Sequence, residues 1–156
     1  MAKFAPLRPD QFKELYHIAM ECEPFQSDMS LAKFMMVMNS REGWTVVDGT
    51  KIIGAVTYGD FAPLQDATLH VFIDKNYHGR WVTRGMLSMA FRYPFKTLRL
   101  PRISGFCVVG LSDHVGKNLL DLGFKEEGKR RNAYRLNDRY FDVKLYGMLN
   151  EECKWL

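Results

Sequence analysis

The sequence is poor in cysteine and has no long apolar run. Its 156 residues contain three cysteines, Cys22, Cys107 and Cys153, which lie far apart and form no CxxC pair. The spacing offers none of the common zinc motifs, so we expect no metal, and it favours a reduced, cytoplasmic setting. No apolar stretch approaches the roughly 18 residues that span a membrane, and no signal-peptide pattern is present. Secretion and membrane spanning are therefore not expected.

Repeats, low-complexity tracts and linkers are also missing. The chain is 47% hydrophobic and 26% charged, a composition typical of globular proteins. Its length suits one domain with a real core. We therefore expect a single domain over residues 1–156.

One long segment has no acidic residue. Between His78 and Arg102 there are six basic side chains and no Asp or Glu, although the whole chain has a net charge of only +4. Such a local positive field suits an anionic ligand. Each basic residue taken alone also fits a solvated helix face. The basic residues are Arg80, Arg84, Arg92, Lys96, Arg99 and Arg102.

Hydrophobic periodicity in the first half predicts a short strand, two helices and a hairpin. Phe4 to Leu7 could form an edge strand. Apolar residues recur at i, i+3, i+4 and i+7 from Phe12 and again from Leu31, which predicts two helices, the first with Asp10 as N-cap. Two β-rich runs flank Asp48-Gly49, a strong hairpin signal.

The second half alternates strands and helices. "ATLHVFID" reads as a strand, and the helix after it should stop at Pro94. "ISGFCVV" is a strand, followed by a helix with Ser112 as N-cap and Gly123 just past its end. Two final strands meet near Asn137-Asp138. The order β-α-α-β-β-β-α-β-α-β-β predicts a mixed α/β (α+β) domain around one largely antiparallel sheet, with about seven strands and about four helices.

The segment "YHGRWVTRGML" follows a strand and opens a helix. Amide groups at a helix N-terminus, helped by the helix dipole, can bind a diphosphate. A phosphate loop usually has two or three glycines, but between Tyr77 and Thr83 only Gly79 is present, and Trp81 stands where another is expected. Losing a glycine restricts positive φ and the close approach of backbone to phosphate. The sequence leaves open a phosphate site, an altered one and an ordinary turn.

The element order and several motifs resemble the GNAT superfamily of acyl-CoA-dependent N-acyltransferases, over roughly residues 3 to 150. "YHGRWV" lies where the family has its (R/Q)-x-x-G-x-(G/A) loop, and "SDHVGKNLLDLGFKEEGKRR" resembles its N-x-x-A…LGF-x-x-E-G segment. "YFDVKLYGMLNEE" resembles the closing strand of the branch of ribosomal-protein N-terminal acetyltransferases. "FRYPF" and "GMLNEECKWL" are similar to small GNAT-like proteins of phage and prophage regions.

The resemblance implies acetyl-CoA as the co-substrate. The loop and helix start would hold its phosphates, and a fourth strand that splays from the fifth would pair with the pantetheine arm. A basic position in the later helix would assist. The implied coenzyme-binding residues are Val71, Phe72, Ile73, His78, Gly79, Arg80, Trp81, Val82, Thr83, Arg84 and Lys117.

Acyl transfer to an amine needs the neutral amine, so a nearby carboxylate or imidazole should take its proton. The candidates are His70 and Asp66 on the fourth strand, with Asp60 at the end of the third as another. Strand alternation puts His70 and Phe72 on one face and Val71 on the other. A strand histidine is also commonly structural, and each aspartate could cap a loop.

The leaving thiolate needs a proton from the protein or from solvent. Many GNAT relatives have a tyrosine three residues before LGF, where this sequence has Leu119. Ser112, the more distant Tyr134 or water would have to serve. Cys107 lies in the apolar "GFCVV", which raises a thiol pKa and favours an inert core residue over a covalent nucleophile. Direct transfer in a ternary complex is therefore expected.

Three functions remain in order of preference. The first is an acetyl-CoA-dependent N-acetyltransferase acting on a protein N-terminus, a lysine or a small amine. The alternative keeps the fold as a catalytically weak or inactive acyl-CoA-binding or protein-interaction module. The third is a binder of nucleic acid or an acidic protein through the basic segment and Lys129, Arg130 and Arg131; no stacked-aromatic pattern supports it.

The acceptor pocket and the oligomeric state are less defined by the sequence. In the GNAT fold, acceptor pockets come from the first two helices and the last hairpin. The last strand and Trp155 could join a homodimer or finish the core. The residues at these acceptor positions are partly apolar: Phe25, Met35, Met38, Tyr134 and Tyr140.

Overall fold

The structure, a computed structural model, describes residues 1–22 and 29–156. This part of the chain contains seven strands and four α-helices. The strands are β1 (Ala2–Pro6), β2 (Glu42–Asp48), β3 (Lys51–Ala62), β4 (Asp66–Ile73), β5 (Arg102–Val108), β6 (Lys125–Leu136) and β7 (Arg139–Leu149). The helices are α1 (Phe12–Cys22), α2 (Leu31–Asn39), α3 (Arg84–Arg92) and α4 (Asp113–Leu122).

All seven strands form one sheet in the order β1-β2-β3-β4-β5-β7-β6. Neighbouring strands are antiparallel except β4 and β5, which are parallel and joined through α3. A parallel neighbour needs such a crossover connection, because a tight turn can join only antiparallel strands. The mixed, largely antiparallel sheet predicted from the sequence is confirmed.

Both predicted hairpins and the predicted end of α4 are confirmed. Asp48 pairs with Lys51 across a turn in which Gly49 has φ +61°. Asn137 and Asp138 both have positive φ, 49° and 61°, as a two-residue hairpin turn that follows the strand twist requires. Gly123 ends α4 in the left-handed region with φ +110°, and its N–H caps helix carbonyls.

Two predicted helix boundaries need correction. Asp10 is not the N-cap of α1, because a 3₁₀ turn over Pro9–Gln11 precedes the helix. The side chain of Gln11 there accepts a hydrogen bond from the backbone N–H of Arg8, at 3.0 Å. The α-helical part of α3 ends at Arg92, before Pro94 as predicted, but a π-helical turn over Tyr93–Thr97 continues through the proline.

The sheet packs helices against both of its faces. Ala55 and Phe72 pack with α1 and α2, where the rings of Phe34 and Phe72 are 6.1 Å apart. The alternate residues Val56 and Ile73 pack with α3 on the opposite face. Helix α4 packs beside α3 against β5, β6 and β7. Each large side chain buried in these clusters stabilises the fold by about 1.5–3 kcal/mol.

Candidate active site

Strands β4 and β5 pair only where they begin. Their single register pair is Thr68 with Ser104, whereas β4 stays paired with β3 as far as Ile73. Beyond Thr68 the two parallel strands therefore diverge and leave a gap between them. This splayed arrangement is the one that the resemblance implied for a coenzyme arm.

The backbone groups of alternate β4 residues point into this gap. The N–H of Asp74 donates to the carbonyl of Ile53 in β3, at 2.7 Å. Because antiparallel strands bond through alternate residues, the backbone groups of Phe72 also face β3, while those of Val71 and Ile73 face the gap. The sequence prediction for Val71 and Ile73 agrees with this placement. Phe72 borders the cavity described next, but its side chain packs with α1 and α2 and its backbone belongs to the β3–β4 ladder.

A cavity of about 760 Å³ runs along the gap, a size typical of small-molecule sites. It begins at the loop after β4, passes between β4 and α4, and ends beside the C-terminal segment. Its outer part is lined by Ile73, His78, Gly79, Trp81 and Val82, its middle by Val71, Phe106, His114, Val115 and Asn118, and its inner end by Tyr58, Leu69, Leu87, Phe91, Leu119, Leu122 and Trp155. Further lining residues are Phe4, Cys22, Val56, Phe72, Met86, Ala90 and Asp121.

The predicted phosphate loop lies at the outer mouth of the cavity. Gly79 has φ +78°, a conformation that favours glycine. Thr83 is the N-cap of α3, and its hydroxyl accepts a hydrogen bond from the N–H of Met86 at 3.2 Å. The preceding helix amides, at Arg84 and Gly85, have no carbonyl partner within an α-helix and remain suited to an anion. Trp81 forms a cavity wall, so the cavity stays open despite the lost glycine.

Two predicted loop side chains are occupied by contacts within the protein. The guanidinium of Arg80 folds back to donate to the carbonyl of Asn76 at 2.6 Å and lies over the Tyr77 ring. The Nε2–H of His78 donates to the carbonyl of Ile73 at 2.8 Å. Arg84 is exposed at the start of α3 and is the better placed of the two arginines for a phosphate.

The carbonyl of Ile73 is also engaged by a second side chain. The thiol of Cys22 donates to it at 2.7 Å, in addition to the bond from His78. A carbonyl has two lone pairs, so this one has no capacity left for a coenzyme. The gap-facing groups left are the N–H and C=O of Val71 and the N–H of Ile73. Lys117 lies on an exposed side of α4, beside the cavity wall formed by His114 and Asn118.

His70 forms a pair with Asp60 on the opposite face of the sheet from α3. The Nε2 of His70 lies 3.3 Å from Oδ2 of Asp60, and its side chain is only 16% exposed. Burial lowers the pKa of His70, against the raising effect of its hydrogen bond with Asp60, and the charge of Arg41 lowers it further. The bond to His70 in turn lowers the pKa of Asp60. The imidazole is therefore neutral at pH 7, with Nε2–H donating to the carboxylate and Nδ1 able to accept a proton.

Phe106 connects this pair to the cavity. Its ring lines the cavity from β5 and meets the His70 ring edge-on, with centroids 6.0 Å apart. The side chain of Phe106 is exposed in part, at 41%. The gap between β4 and β5 therefore opens on both faces of the sheet, with the cavity on one side and His70 on the other.

Asp66 is placed at the closed end of the gap in an ionic network. Its Oδ2 accepts from the hydroxyl of Ser104 at 2.5 Å and from Nε of Arg102 at 3.3 Å. Arg102 also forms a bidentate salt bridge with Glu127, in which its two terminal nitrogens donate to the carboxylate oxygens at 2.7 and 3.0 Å. Oδ1 of Asp66 is buried and has no partner among the described residues. This network links β4, β5 and β6. It therefore favours a structural role for Asp66 over the predicted role as a base.

The predicted role of Ser112 as an acid does not fit its surroundings. Its buried hydroxyl accepts from the N–H of Val108 at 2.8 Å and donates to the carbonyl of the same residue at 3.4 Å. Both bonds fold the chain between β5 and α4, and no proton remains for a leaving thiolate. Leu119 is buried, and Tyr134 lies on β6, three strands away from β4 in the sheet order.

Cys107 is buried beneath α4, in line with the expectation of an inert thiol. Its sulfur lies 3.7 Å from the hydroxyl of Tyr146. Burial, with the neighbouring Cys107, raises the pKa of Tyr146 to about 12. The phenol of Tyr146 therefore stays protonated at neutral pH, and Tyr146 lies on β7, on the far side of β5 from the gap.

Comparison with solved structures identifies the fold. Spermidine N-acetyltransferase SpeG from Vibrio cholerae, in complex with CoA and spermine, matches with a TM-score of 0.76 and 20% identity, over 97% of this chain and 96% of that chain. A point mutant of SpeG matches with a TM-score of 0.78 and 19% identity, over 99% and 96% of the two chains. A chimera of SpeG and hSSAT matches with a TM-score of 0.76 and 22% identity, over 96% of each chain.

The chain has the GNAT acetyltransferase fold. No family model and no curated protein sequence matches it. At these low identities the likeness shows the fold alone.

Two side chains that line the cavity of this GNAT fold, His114 and Asn118, were not predicted from the sequence. His114 and Asn118 stand one turn apart on α4 and face the cavity. Their i, i+4 spacing was the available signal, but it also fits a solvated helix face. Trp155 stacks on Phe91, with centroids 6.5 Å apart, and its Nε1–H donates to the carbonyl of Leu122 at 2.8 Å. Of the two roles that the sequence left open for Trp155, these contacts favour packing against the core, where it also lines the inner end of the cavity.

The predicted acceptor residues are dispersed. Phe25 lies outside the described residues. Met38 lies on the buried face of α2, whereas Met35 and Tyr140 are exposed. Among residues 1–22 and 29–156, no cluster of three or more His, Cys, Asp or Glu side chains could hold a metal, and no helix is long and apolar enough to cross a membrane.

Proposed function

We propose that the chain is an acetyl-CoA-dependent N-acetyltransferase that moves an acetyl group to a primary amine by direct transfer in a ternary complex. The observation that carries the proposal is the continuous path through the sheet. One cavity connects Val82 and Met86, which flank the first turn of α3, with Val71 in the gap and with Phe106, whose ring contacts His70. An anionic coenzyme and an amine can therefore meet in the gap from opposite faces.

The groups along this path have separate roles in binding the coenzyme and stabilising the reaction. The amides at the start of α3 and the side chain of Arg84 bind phosphate, since both supply positive charge at the cavity mouth. The backbone of Val71 pairs with the amide groups of the pantetheine arm. The N–H of Val71 or Ile73 can also donate to the thioester oxygen, which gains negative charge during transfer.

His70 serves as the base. Its neutral imidazole takes the proton of the attacking amine at Nδ1, while Asp60 holds Nε2–H. The amine nitrogen forms a bond to the carbonyl carbon as the C–S bond breaks, and the electron pair leaves on sulfur. Ser112 and Leu119 offer no proton there, so water protonates the thiolate.

The lack of a protein acid also favours a second candidate, a binder of acyl-CoA that has lost most catalysis. Two observations support it: Leu119 is a buried apolar residue, and the hydroxyl of Ser112 is hydrogen-bonded to the backbone of Val108. The two candidates differ in one measurable product, the free thiol of CoA.

The acceptor is an amine. SpeG has been crystallised with spermine, a polyamine. A suitable panel therefore contains spermidine, spermine, free lysine and short peptides with a free N-terminus. We propose a small amine or a peptide N-terminus as the acceptor.

The test combines acetyl-CoA binding with thiol release. Wild type should be stabilised against heat by acetyl-CoA and should release thiol with at least one amine of the panel. His70→Gln should retain the stabilisation but lose about 10²–10⁴-fold in turnover, the range of a general base. Stabilisation without thiol release from any amine would select the binder, and no stabilisation would contradict both candidates.

A further inference from the structure

The inner end of the cavity continues past the place where acyl transfer is proposed to occur. We name this part the inner chamber and define it by Leu69, Leu87, Phe91, Leu119, Leu122 and Trp155. Leu69 directly follows Thr68, the last β4 residue paired with β5. The chamber therefore begins where the gap closes.

The directions of the helices place the chamber deep in the molecule. Helix α3 starts at the cavity mouth and runs inward, so Leu87 and Phe91 follow the phosphate loop by one and two turns. Helix α4 starts at the open end of β5 and runs back along it, so Leu122, at its last turn, is at the inner end. Trp155 closes the chamber by bonding to the carbonyl of Leu122.

The chamber is lined by carbon, and the polar atoms of its aromatic residues are already hydrogen-bonded. Asp121, a carboxylate that also lines the cavity, is exposed on α4. The indole N–H of Trp155 is used by Leu122, at 2.8 Å. The hydroxyl of Tyr58, which also borders this end, donates to the carbonyl of Ala90 at 3.2 Å. A polar ligand would lose its hydrogen bonds to water there without replacement, whereas an aliphatic chain would not.

We infer that the inner chamber binds the acyl chain of the donor, and that the preferred donor is an acyl-CoA with a chain longer than acetyl. This rests on the proposed function, because the chamber is continuous with the proposed coenzyme cleft. A thioester carbonyl in the gap directs its alkyl chain away from the amine, beside Leu69 and into the chamber. Transfer keeps the same balance: a C–N bond forms, the C–S bond breaks, and the amine proton goes to His70.

Burial of each further methylene should tighten binding up to about fourfold. We therefore expect hexanoyl-CoA, which has four more carbons than acetyl-CoA, to bind at least tenfold more tightly in calorimetric titration. Leu122→Phe should narrow the chamber and reduce this hexanoyl-to-acetyl ratio of dissociation constants at least tenfold. Leu120→Phe, on an exposed position of the same helix, is the matched control and should leave the ratio unchanged.

The outcomes separate the two proposals. Equal affinities for both donors, or a ratio that Leu122→Phe does not change, would overturn the inference while the proposed function stands. Binding of neither donor would overturn both. Tight hexanoyl-CoA binding without thiol release from any amine would uphold the chamber and contradict only the transferase. If Leu122→Phe does not fold, Leu87→Phe, which narrows the chamber from α3, replaces it.

Discussion

Replacing Gly116 by alanine should force α4 away from the sheet. Gly116 is buried in the middle of α4, above β5 and β7. A Cβ there would lie 2.5 Å from the hydroxyl oxygen of Tyr146 and 3.0 Å from the sulfur of Cys107. Both distances are shorter than ordinary contacts, and Tyr146 is itself buried in the core. The helix or the tyrosine must therefore move.

The magnitude follows from two opposing effects. In an open helix position, glycine to alanine stabilises by about 1 kcal/mol. Overpacking a buried contact costs about 1–3 kcal/mol. We expect Gly116→Ala to be destabilising by up to about 2 kcal/mol, and for a chain of this size 1 kcal/mol corresponds to about 2–4 °C in Tm.

Thermal unfolding followed by circular dichroism tests this prediction. Tyr146→Phe removes the oxygen nearest the new methyl group, so the double variant should recover at least half of the lost Tm. Gly85→Ala is the matched helix control, because its nearest neighbour would be 3.8 Å away, and its Tm should rise. The reasoning is refuted if Gly116→Ala raises Tm as the control does, or if Tyr146→Phe brings no recovery.

Three further predictions concern the site. Asp60→Asn removes the hydrogen bond to a carboxylate that raises the pKa of His70, so the acid limb of the pH–rate profile should move to lower pH; a move to higher pH would contradict the pair. Ser112→Ala leaves the buried N–H of Val108 without a partner, so it should cost about 1–3 kcal/mol in denaturant unfolding but leave turnover per folded molecule unchanged. Thr83→Ala removes an N-cap worth about 0.5–2 kcal/mol; an unchanged urea midpoint would show that the cap is dispensable.

The fold could be predicted because its signals are local. The turn at Asp48-Gly49, the end of α4 at Gly123 and the apolar periodicity from Phe12 each depend on neighbouring residues alone. These local elements, in order along the chain, are enough to define the β4–α3–β5 crossover. The 3₁₀ turn before α1 was missed because it is capped by Gln11, whose side chain accepts a hydrogen bond from the N–H of Arg8. Glutamine is a poor capping candidate by sequence.

The site was harder to predict because its chemistry depends on partners distant in sequence. By sequence, Asp66 and His70 are both polar residues of the same strand. In the structure, Asp66 forms an ion pair with Arg102 on β5, whereas His70 pairs with Asp60 on β3. No local pattern shows which of the two is held in a structural ion pair. The inner end of the cavity was missed for the same reason, since Trp155 reaches it from the end of the chain.

The most direct test of the account is titration of CoA into three proteins. We predict that wild type binds, that Arg84→Glu weakens binding at least tenfold by placing negative charge at the start of α3, and that Arg92→Glu changes it less than twofold. Arg92 lies eight residues further along the same helix, about 12 Å away. Equal losses in the two variants, or no binding by wild type, would contradict a phosphate site at the start of α3.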